Sequence, residues 1–331
     1  MNELITEIPD VLTGPLVRES GRLLMAKPAG QGMRLPDLVQ QHRAALDALL
    51  AGAGGVLFRG FGVTEAAFAE VVGALCEPLS YVYRSTPRTE VGARIYTATE
   101  YSAAHEIPMH CENAYQRDWP MRLFFFCDQA ARRGGETPLA DMDRVTEALD
   151  PALVDRFARK RVMYVRNYRP GLDLPWQTVF QTTERGEVER YCDAHDIAWE
   201  WLAGDALRTR QVCDALATHP VTGRLVWFNQ AHLFHVSSLP AAVRDAMLAV
   251  YAADELPRHA YFGDGSPIDE ADLARIRDAF AAHSVMFPWQ SGDVLILDNM
   301  AFAHGRRPFE GDRRVLVAMG DAVSRARPRP A

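Results

Sequence analysis

His110-Cys111-Glu112 is the stretch on which the reading of this chain turns. Side chains two residues apart project from the same face of a β-strand, so His110 and Glu112 can reach one point together. A single distant histidine, His304, can supply a third donor. Two imidazoles and one carboxylate on one face of an octahedral ion leave the opposite face open. That is the ligand set of non-haem Fe(II) oxygenases. On its own the H-x-E spacing is common, and a hydrogen-bonded histidine with no metal role is the simpler alternative.

Working outward, the segments around this stretch read as strands. Arg94–Thr99, Arg122–Cys127, Val162–Val165, Arg224–Asn229, Val294–Leu297 and Arg314–Met319 are short, rich in β-branched or aromatic residues, and bounded by turn formers. Helical spacing appears at Leu35–Leu50, from a Thr64 cap to about Cys76, and at about Asp143–Lys160, Asp205–Thr218, Pro240–Ala252 and Asp269–Ala282. Asp205 and Asp269 are read as N-caps. Many short strands with helical buttresses predict a mainly β fold with flanking helices, a jelly roll. A doubly wound sheet would need β-α-β alternation and a glycine fingerprint, and Gly134-Gly135 leads into Glu136-Thr137-Pro138 instead.

Composition narrows the function classes. The chain of 331 residues is 48% hydrophobic and 24% charged, which suits a soluble globular protein with a sizeable core. Its net charge of −7 offers no basic footprint, so neither nucleic acid nor an anionic membrane is expected as a partner. No apolar run is long enough to span a bilayer, and Met1-Asn2-Glu3-Leu4 does not begin a signal peptide. Cys76, Cys111, Cys127, Cys192 and Cys213 are odd in number and lack C-x-x-C spacing. A reduced, cytoplasmic setting is expected. The expected organisation is one domain over 1–331, with a mainly helical part to about 90 and a jelly-roll core over 91–320.

Arg314 enters an apolar strand, Arg314-Val315-Leu316-Val317-Ala318-Met319. A guanidinium there needs a partner, and a dicarboxylate ligand can accept two parallel hydrogen bonds from it. A solvent-facing arginine at a strand edge is the alternative.

The motifs His110-Cys111-Glu112-Asn113-Ala114-Tyr115, Gly134-Gly135-Glu136-Thr137-Pro138, Arg166-Asn167-Tyr168, Val226-Trp227-Phe228-Asn229-Gln230 and Phe234–Leu239, with the His304–Met319 stretch, carry a family resemblance. The chain resembles the Fe(II)/2-oxoglutarate dioxygenases of the taurine dioxygenase and clavaminate synthase-like superfamily. It is nearest to amino-acid hydroxylases of the syringomycin type. The resemblance runs from about Arg94 to Met319 and implies a double-stranded β-helix (cupin-like) core. It implies iron held by His110, Glu112 and His304, with Arg314 and Thr137 binding the distal carboxylate of 2-oxoglutarate, and molecular oxygen as the third participant. Arg313 is expected on the opposite face of its strand.

Two departures from relatives bear on substrate. Sulfonate-oxidising members carry an arginine four residues after the co-substrate arginine, where Arg314 numbering puts Ala318. Halogenating members lose the metal carboxylate, which Glu112 supplies here. The expected reaction is therefore hydroxylation of an amino acid, free or tethered to a carrier protein, in specialised metabolism such as antibiotic biosynthesis. Desaturation, epoxidation or cyclisation with the same cofactors is an alternative outcome. A metallohydrolase or a non-catalytic metal-binding β-barrel is a more distant one.

Asn113, Tyr115, Arg166 and Arg306 are the candidate substrate contacts. His232 and His235 read as structural histidines, Asn229 and Gln230 either as residues within reach of the pocket or as partners of local backbone groups, and His105-Glu106 as a solvated loop. The irregular Tyr168–Glu200 segment reads as a lid, with Trp176 or Phe180 closing over substrate.

Overall fold

The computed structural model describes residues 8–17, 21–81, 83, 86, 88–99, 101–169 and 173–325. Met1–Leu4, and Pro170 and Gly171 of the expected lid, lie outside the described residues.

Alternation of side chains builds a large sheet with two apolar faces. In order its strands are Val11–Pro15, Leu23–Pro28, Gly55–Phe58, Val294–Asp298, Asp118–Gln129, Arg314–Ser324, Ile95–Thr97 and Glu90–Gly92. Phe124, Phe126, Ile296, Leu316 and Ala318 point one way, onto Phe68, Val72 and the other apolar residues of the N-terminal helices. Leu123, Phe125, Leu295, Leu297, Val315, Val317 and Met319 point the other way, toward Leu139, Phe287 and Phe302. That inner face meets a smaller sheet ordered Ser284–Val285, Leu139–Asp141, Phe302–Arg306 and Ile107–His110. Two facing sheets with an apolar filling make the jelly roll the sequence predicts.

The six expected strands all form; five begin within a residue of the expected start, Asp118–Gln129 begins four residues early, and Arg314–Ser324 runs five residues past its expected end. Thr64 caps Glu65–Leu75 by accepting from Ala67 N, and Asp269 caps Glu270–Ala282 by accepting from Ala271 N. The expected 35–50 helix is broken at His42 into Leu35–Gln41 and Arg43–Ala53. The expected 143–160 helix is two helices, Met142–Ala148 and Pro151–Lys160, because Asp150 caps the second and Pro151 cannot continue the first.

Three expectations are corrected. Residues 205–218 form strands, Ala206–Cys213 and Leu216–Thr218, not a helix. From Leu207 to Cys213 burial alternates residue by residue, a period of two that outweighs the helical propensity of Leu, Arg and Gln. Asp205 is no N-cap either; its φ is 60°. The N-terminal part holds more than the expected helices, since Val11–Pro15, Leu23–Pro28 and Gly55–Phe58 join the large sheet between them. The 168–200 segment holds helices Trp176–Phe180 and Arg185–Ala194. Trp176 is buried, donating its indole N–H to Asp205 O, and Phe180 packs on Tyr83, Tyr168 and Tyr191. Neither lines the cavity described below.

Candidate active site

Antiparallel pairing places His304 directly opposite His110, on neighbouring strands of the smaller sheet. Their rings are 4.6 Å apart. Gly305 permits this approach: a Cβ there would lie 2.6 Å from Ile107 O. Glu112 follows two residues after His110, and its Oε2 lies 4.0 Å from His304 Nε2. One ligand atom from each of His110, Glu112 and His304 lies within 4.8 Å of the others.

The backbone carrying these donors is clamped from both sides. Asn299 accepts from Glu112 N at 2.7 Å and donates to Glu112 O at 2.9 Å and Pro120 O at 2.8 Å. Gln230 Nε2 donates to Cys111 O at 2.7 Å, and His232 Nε2 donates to Met109 O at 3.1 Å. His232 is thus structural, as expected, and so is Asn229, which donates to Ala215 O. Segment 109–112 is held from two sequence-distant loops, which fixes where its side chains point.

Protonation suits a cation. His110 Nδ1 lies 2.8 Å from Pro108 O, and a carbonyl only accepts, so Nδ1 carries the proton and Nε2 offers a lone pair. Burial holds the pKa of His110 below the usual imidazole value; burial and then the His110 charge hold that of His304 well below it. Burial alone would raise the Glu112 pKa, but Arg88, then His110 and His304, outweigh it and bring the carboxyl down to about 2. At neutral pH the set is two neutral imidazoles and one carboxylate, the forms in which these groups bind metal. His304 Nδ1 is buried without a hydrogen bond among the described residues, which also fits a ring with room for a further partner. The residues therefore fit a divalent cation.

Two chambers meet at these residues. The smaller, of about 40 Å³, is walled by Thr137, Phe125, His304, Arg306, Arg313 and Val317 among others. Arg313 forms no ion pair with a carboxylate among the described residues; its Nε donates to Gly135 O at 3.1 Å. Burial, then the nearby Arg306 charge, pull its pKa down to about 10, so it remains a cation at neutral pH. Thr137 Oγ1 accepts from Trp289 Nε1 at 3.0 Å, which leaves the hydroxyl proton free to be donated. Gly135, at φ 75°, makes room for this arginine, since a Cβ would lie 3.0 Å from Arg313 Cδ. A half-buried guanidinium without an ion-pair partner, beside a hydroxyl donor, fits the far carboxylate of 2-oxoglutarate.

The expectation that Arg314 fills this role is corrected. Arg314 shares a face with Leu316 and Ala318, outside the sandwich, where it pairs with Glu65 at 2.8 Å and Asp128 at 2.9 Å. Arg313 shares the inner parity of Val315 and Val317. The position four residues after the inward arginine is therefore Val317, not Ala318. Val317 is uncharged as well.

The larger chamber, about 720 Å³, opens from His110 and Glu112 past Tyr115, Gln230, Asp173 and Arg258. Asp173 accepts from Arg258 Nε at 2.8 Å and Nη2 at 3.2 Å. Of the four candidate substrate contacts, Tyr115 alone lines this chamber. Arg166 stands behind the wall, 3.7 Å from Asp173, donating to the Tyr83 hydroxyl at 3.0 Å. Asn113 faces away; it turns the chain at φ 57° and accepts from Gln116. Arg306 borders the smaller chamber instead, and gives four hydrogen bonds to the carbonyls of Thr99, Tyr101, Ser102 and His105, so it holds that loop in place. His105 and Glu106 are exposed at the mouth, and His235 lines it.

Arg88, Asp173, Arg258 and Asn299 were not legible as site residues. Arg88 lies 24 residues before Glu112 in a segment without motif, yet its Nη2 reaches Glu112 Oε2 at 2.8 Å.

Comparison with known proteins agrees with the architecture. Residues 19–319 match the family model described as taurine catabolism dioxygenase TauD, TfdA family. The dapdiamide synthesis protein DdaC of Enterobacter agglomerans is 42% identical over 311 residues, 93% of this chain and 94% of that one. A clavaminate synthase-like protein of Arabidopsis thaliana is 33% identical over 298 residues, 85% and 86% of the two chains. Among solved structures, PvcB of Pseudomonas aeruginosa, an Fe, alpha-ketoglutarate dependent oxygenase from an isonitrile synthetic pathway, superposes with a TM-score of 0.57 at 17% identity. It covers 96% of this chain and 94% of its own. No helix among the described residues is long and apolar enough to cross a membrane.

Proposed function

The chain belongs to the TauD/TfdA family of iron- and 2-oxoglutarate-dependent dioxygenases, and from that premise we propose that it hydroxylates a C–H bond of an amino-acid-like small molecule in specialised metabolism. The observation that carries this reading is the meeting of two chambers at His110, Glu112 and His304, one holding Arg313, which has no carboxylate partner among the described residues, and one large enough for a substrate.

In this reading His110, Glu112 and His304 hold Fe(II), while Arg313 and Thr137 anchor 2-oxoglutarate. Bound together, these cofactors supply oxygen activation, with 2-oxoglutarate consumed to succinate and CO₂ as the substrate gains a hydroxyl. The protein contributes position and a dry wall. Asn299 and Gln230 keep the 110–112 backbone from drifting. Phe125, packed edge-on to His304 at 5.1 Å, shields that ring from water. No step requires His110 or His304 to exchange a proton.

The Asp173–Arg258 pair in the larger chamber supports a polar, amino-acid-like substrate, since it gives the wall hydrogen-bonding groups while balancing its own charge. The similarity to DdaC, a dapdiamide synthesis protein, supports a biosynthetic substrate of this kind. Whether the amino acid is free or carried on a protein is an outcome of the assay.

The test is anaerobic titration of Fe(II)-loaded protein with 2-oxoglutarate. A visible charge-transfer band is expected, followed, once air and an amino-acid library are admitted, by a product heavier by one oxygen. A product lighter by two hydrogens would replace hydroxylation with desaturation. No band and no succinate would sink the reading.

A further inference from the structure

Arg88 is the residue of the site for which neither the metal triad nor the co-substrate anchor accounts. It is 8% exposed and lines both chambers. Nη2 donates to Glu112 Oε2 at 2.8 Å, and the guanidinium carbon lies 5.1 Å from the centre of the Tyr81 ring. Nε and Nη1 are buried with no hydrogen-bond partner among the described residues. Buried guanidinium N–H groups without acceptors are costly, and where they also face a cavity, as here, a bound acceptor is one way to satisfy them.

Charge balance says what binds. In the metal-free chain Glu112 is the counter-ion of Arg88. One carboxylate cannot neutralise both a divalent cation and a guanidinium, so loading the triad leaves Arg88 short of an anion. A divalent cation, Arg88 and Arg313 together still outweigh Glu112 and the two carboxylates of 2-oxoglutarate by one positive charge. Arg306 adds to that remainder, but its Nη atoms are taken by four backbone carbonyls, so the guanidinium with open N–H groups toward the larger chamber is Arg88. The other charged residues of the larger chamber are already matched: Asp173 with Arg258, and Glu106 with Arg307.

We propose that Arg88 is a substrate-positioning residue which, once the triad is loaded, binds a carboxylate of the primary substrate through guanidinium N–H groups that have no acceptor and so holds the neighbouring carbon beside the metal. The proposal rests on the reading of His110, Glu112 and His304 as a metal site, and deepens it by naming the substrate class: a molecule with a carboxylate close to the carbon oxidised. Because Arg88 touches Glu112, any group it grips is within a few ångströms of the triad. The carboxylate-binding site is also linked to metal loading, since the metal competes with Arg88 for the charge of Glu112.

The same chemistry could come from the co-substrate's own carboxylate, and the experiment separates the two sources. Protein loaded with Mn(II) and N-oxalylglycine, an unreactive 2-oxoglutarate analogue, is mixed with acetate or with acetamide. Paramagnetic relaxation of the methyl protons reports approach to the metal. In the wild type acetate should be relaxed about tenfold more than acetamide, the difference a charged hydrogen bond makes. Arg88→Met should bring acetate down to the acetamide level, and Arg88→Lys should restore part of the difference.

Equal relaxation of the two probes by the wild type would overturn the proposal, as would an undiminished acetate effect in Arg88→Met. If Arg88→Met weakens N-oxalylglycine as much as acetate, the arginine serves the co-substrate and the substrate assignment is wrong. Should Arg88→Met not fold, Arg88→Gln carries the same comparison, and the wild-type contrast decides without any variant. Failure of the wild type to bind Mn(II) with N-oxalylglycine is a separate result, and sinks the metal-site reading itself.

Discussion

His110 and His304, 194 residues apart in sequence, face each other as a cross-strand pair at one edge of the smaller sheet, with rings 4.6 Å apart. The separation is set by strand pairing, since residues directly opposite on antiparallel strands bring their Cβ atoms within roughly 5 Å. The metal site is thus a property of sheet register. A slip of one residue would turn one histidine to the other face. Replacing His304 with Ala should abolish tight binding of one equivalent of Fe(II) or Mn(II) while leaving the fold intact. Metal titration followed by circular dichroism checks this, and stoichiometric metal in the variant would refute the triad.

Asn299 should behave as a support and not as a ligand. It is fully buried, and truncation to Ala orphans Glu112 N, Glu112 O and Pro120 O together. A loss of about 2–4 kcal/mol in unfolding free energy is expected from buried groups left unpaired. Metal affinity should fall by roughly 10–100-fold, as for other residues that orient ligands. Urea denaturation and metal titration measure the two effects. A large stability loss with unchanged metal affinity would mean that the 110–112 segment holds its shape unaided.

Arg313 and Arg314 offer a paired test on neighbouring residues. Arg313→Met should raise the 2-oxoglutarate requirement by about 100-fold, the order expected when a charged, bidentate contact is removed. Arg314→Met should leave that requirement unchanged and cost at most about 1 kcal/mol, because its partners Glu65 and Asp128 are half exposed. KM for 2-oxoglutarate, measured by succinate release, distinguishes them. The reverse order would restore Arg314 as the anchor.

Acid should destabilise the protein early. Burial depresses the imidazoles of His232 and His235 to about 4; burial, then the His235 charge, takes His259 to about 3. The unfolded chain binds protons at these histidines from about pH 6.5 downward, whereas the folded chain does not until near pH 4 or below. Protons therefore favour the unfolded state in that window, and stability falls as pH drops through it. Each neutral buried histidine contributes up to about 1.4 kcal/mol per pH unit there. Urea midpoints at pH 7, 6 and 5 should decline steadily, and His259→Phe should flatten the slope. A midpoint independent of pH over this range would mean that these rings are protonated in the folded state.

Much of the fold was legible because strands announce themselves locally. Runs such as Arg122–Cys127 and Val294–Leu297 carry β-branched and aromatic residues between turn formers, and each became a strand. The 205–218 segment misled because a strand of alternating burial can be written with helix-favouring residues when its neighbours decide the outcome. Ala206–Cys213 is fixed by pairing with Ile197–Leu202 and Val162–Tyr168, which nothing in its own sequence announces.

The chemistry of the donors was in the sequence alone: His110 and Glu112 two apart on a strand, His304 and an arginine entering the last long strand. Their identities and local spacing fix what they can bind. Which of two adjacent arginines faces the chamber was decided only by the tertiary structure. Alternation guarantees that Arg313 and Arg314 point oppositely, but the inward face is set by what packs on each side of the sheet. Helix Glu65–Leu75 covers one side and the smaller sheet the other. Arg88, Asp173 and Arg258 were likewise invisible, because their roles rest on proximity in space between residues whose sequence neighbours carry no periodicity or motif.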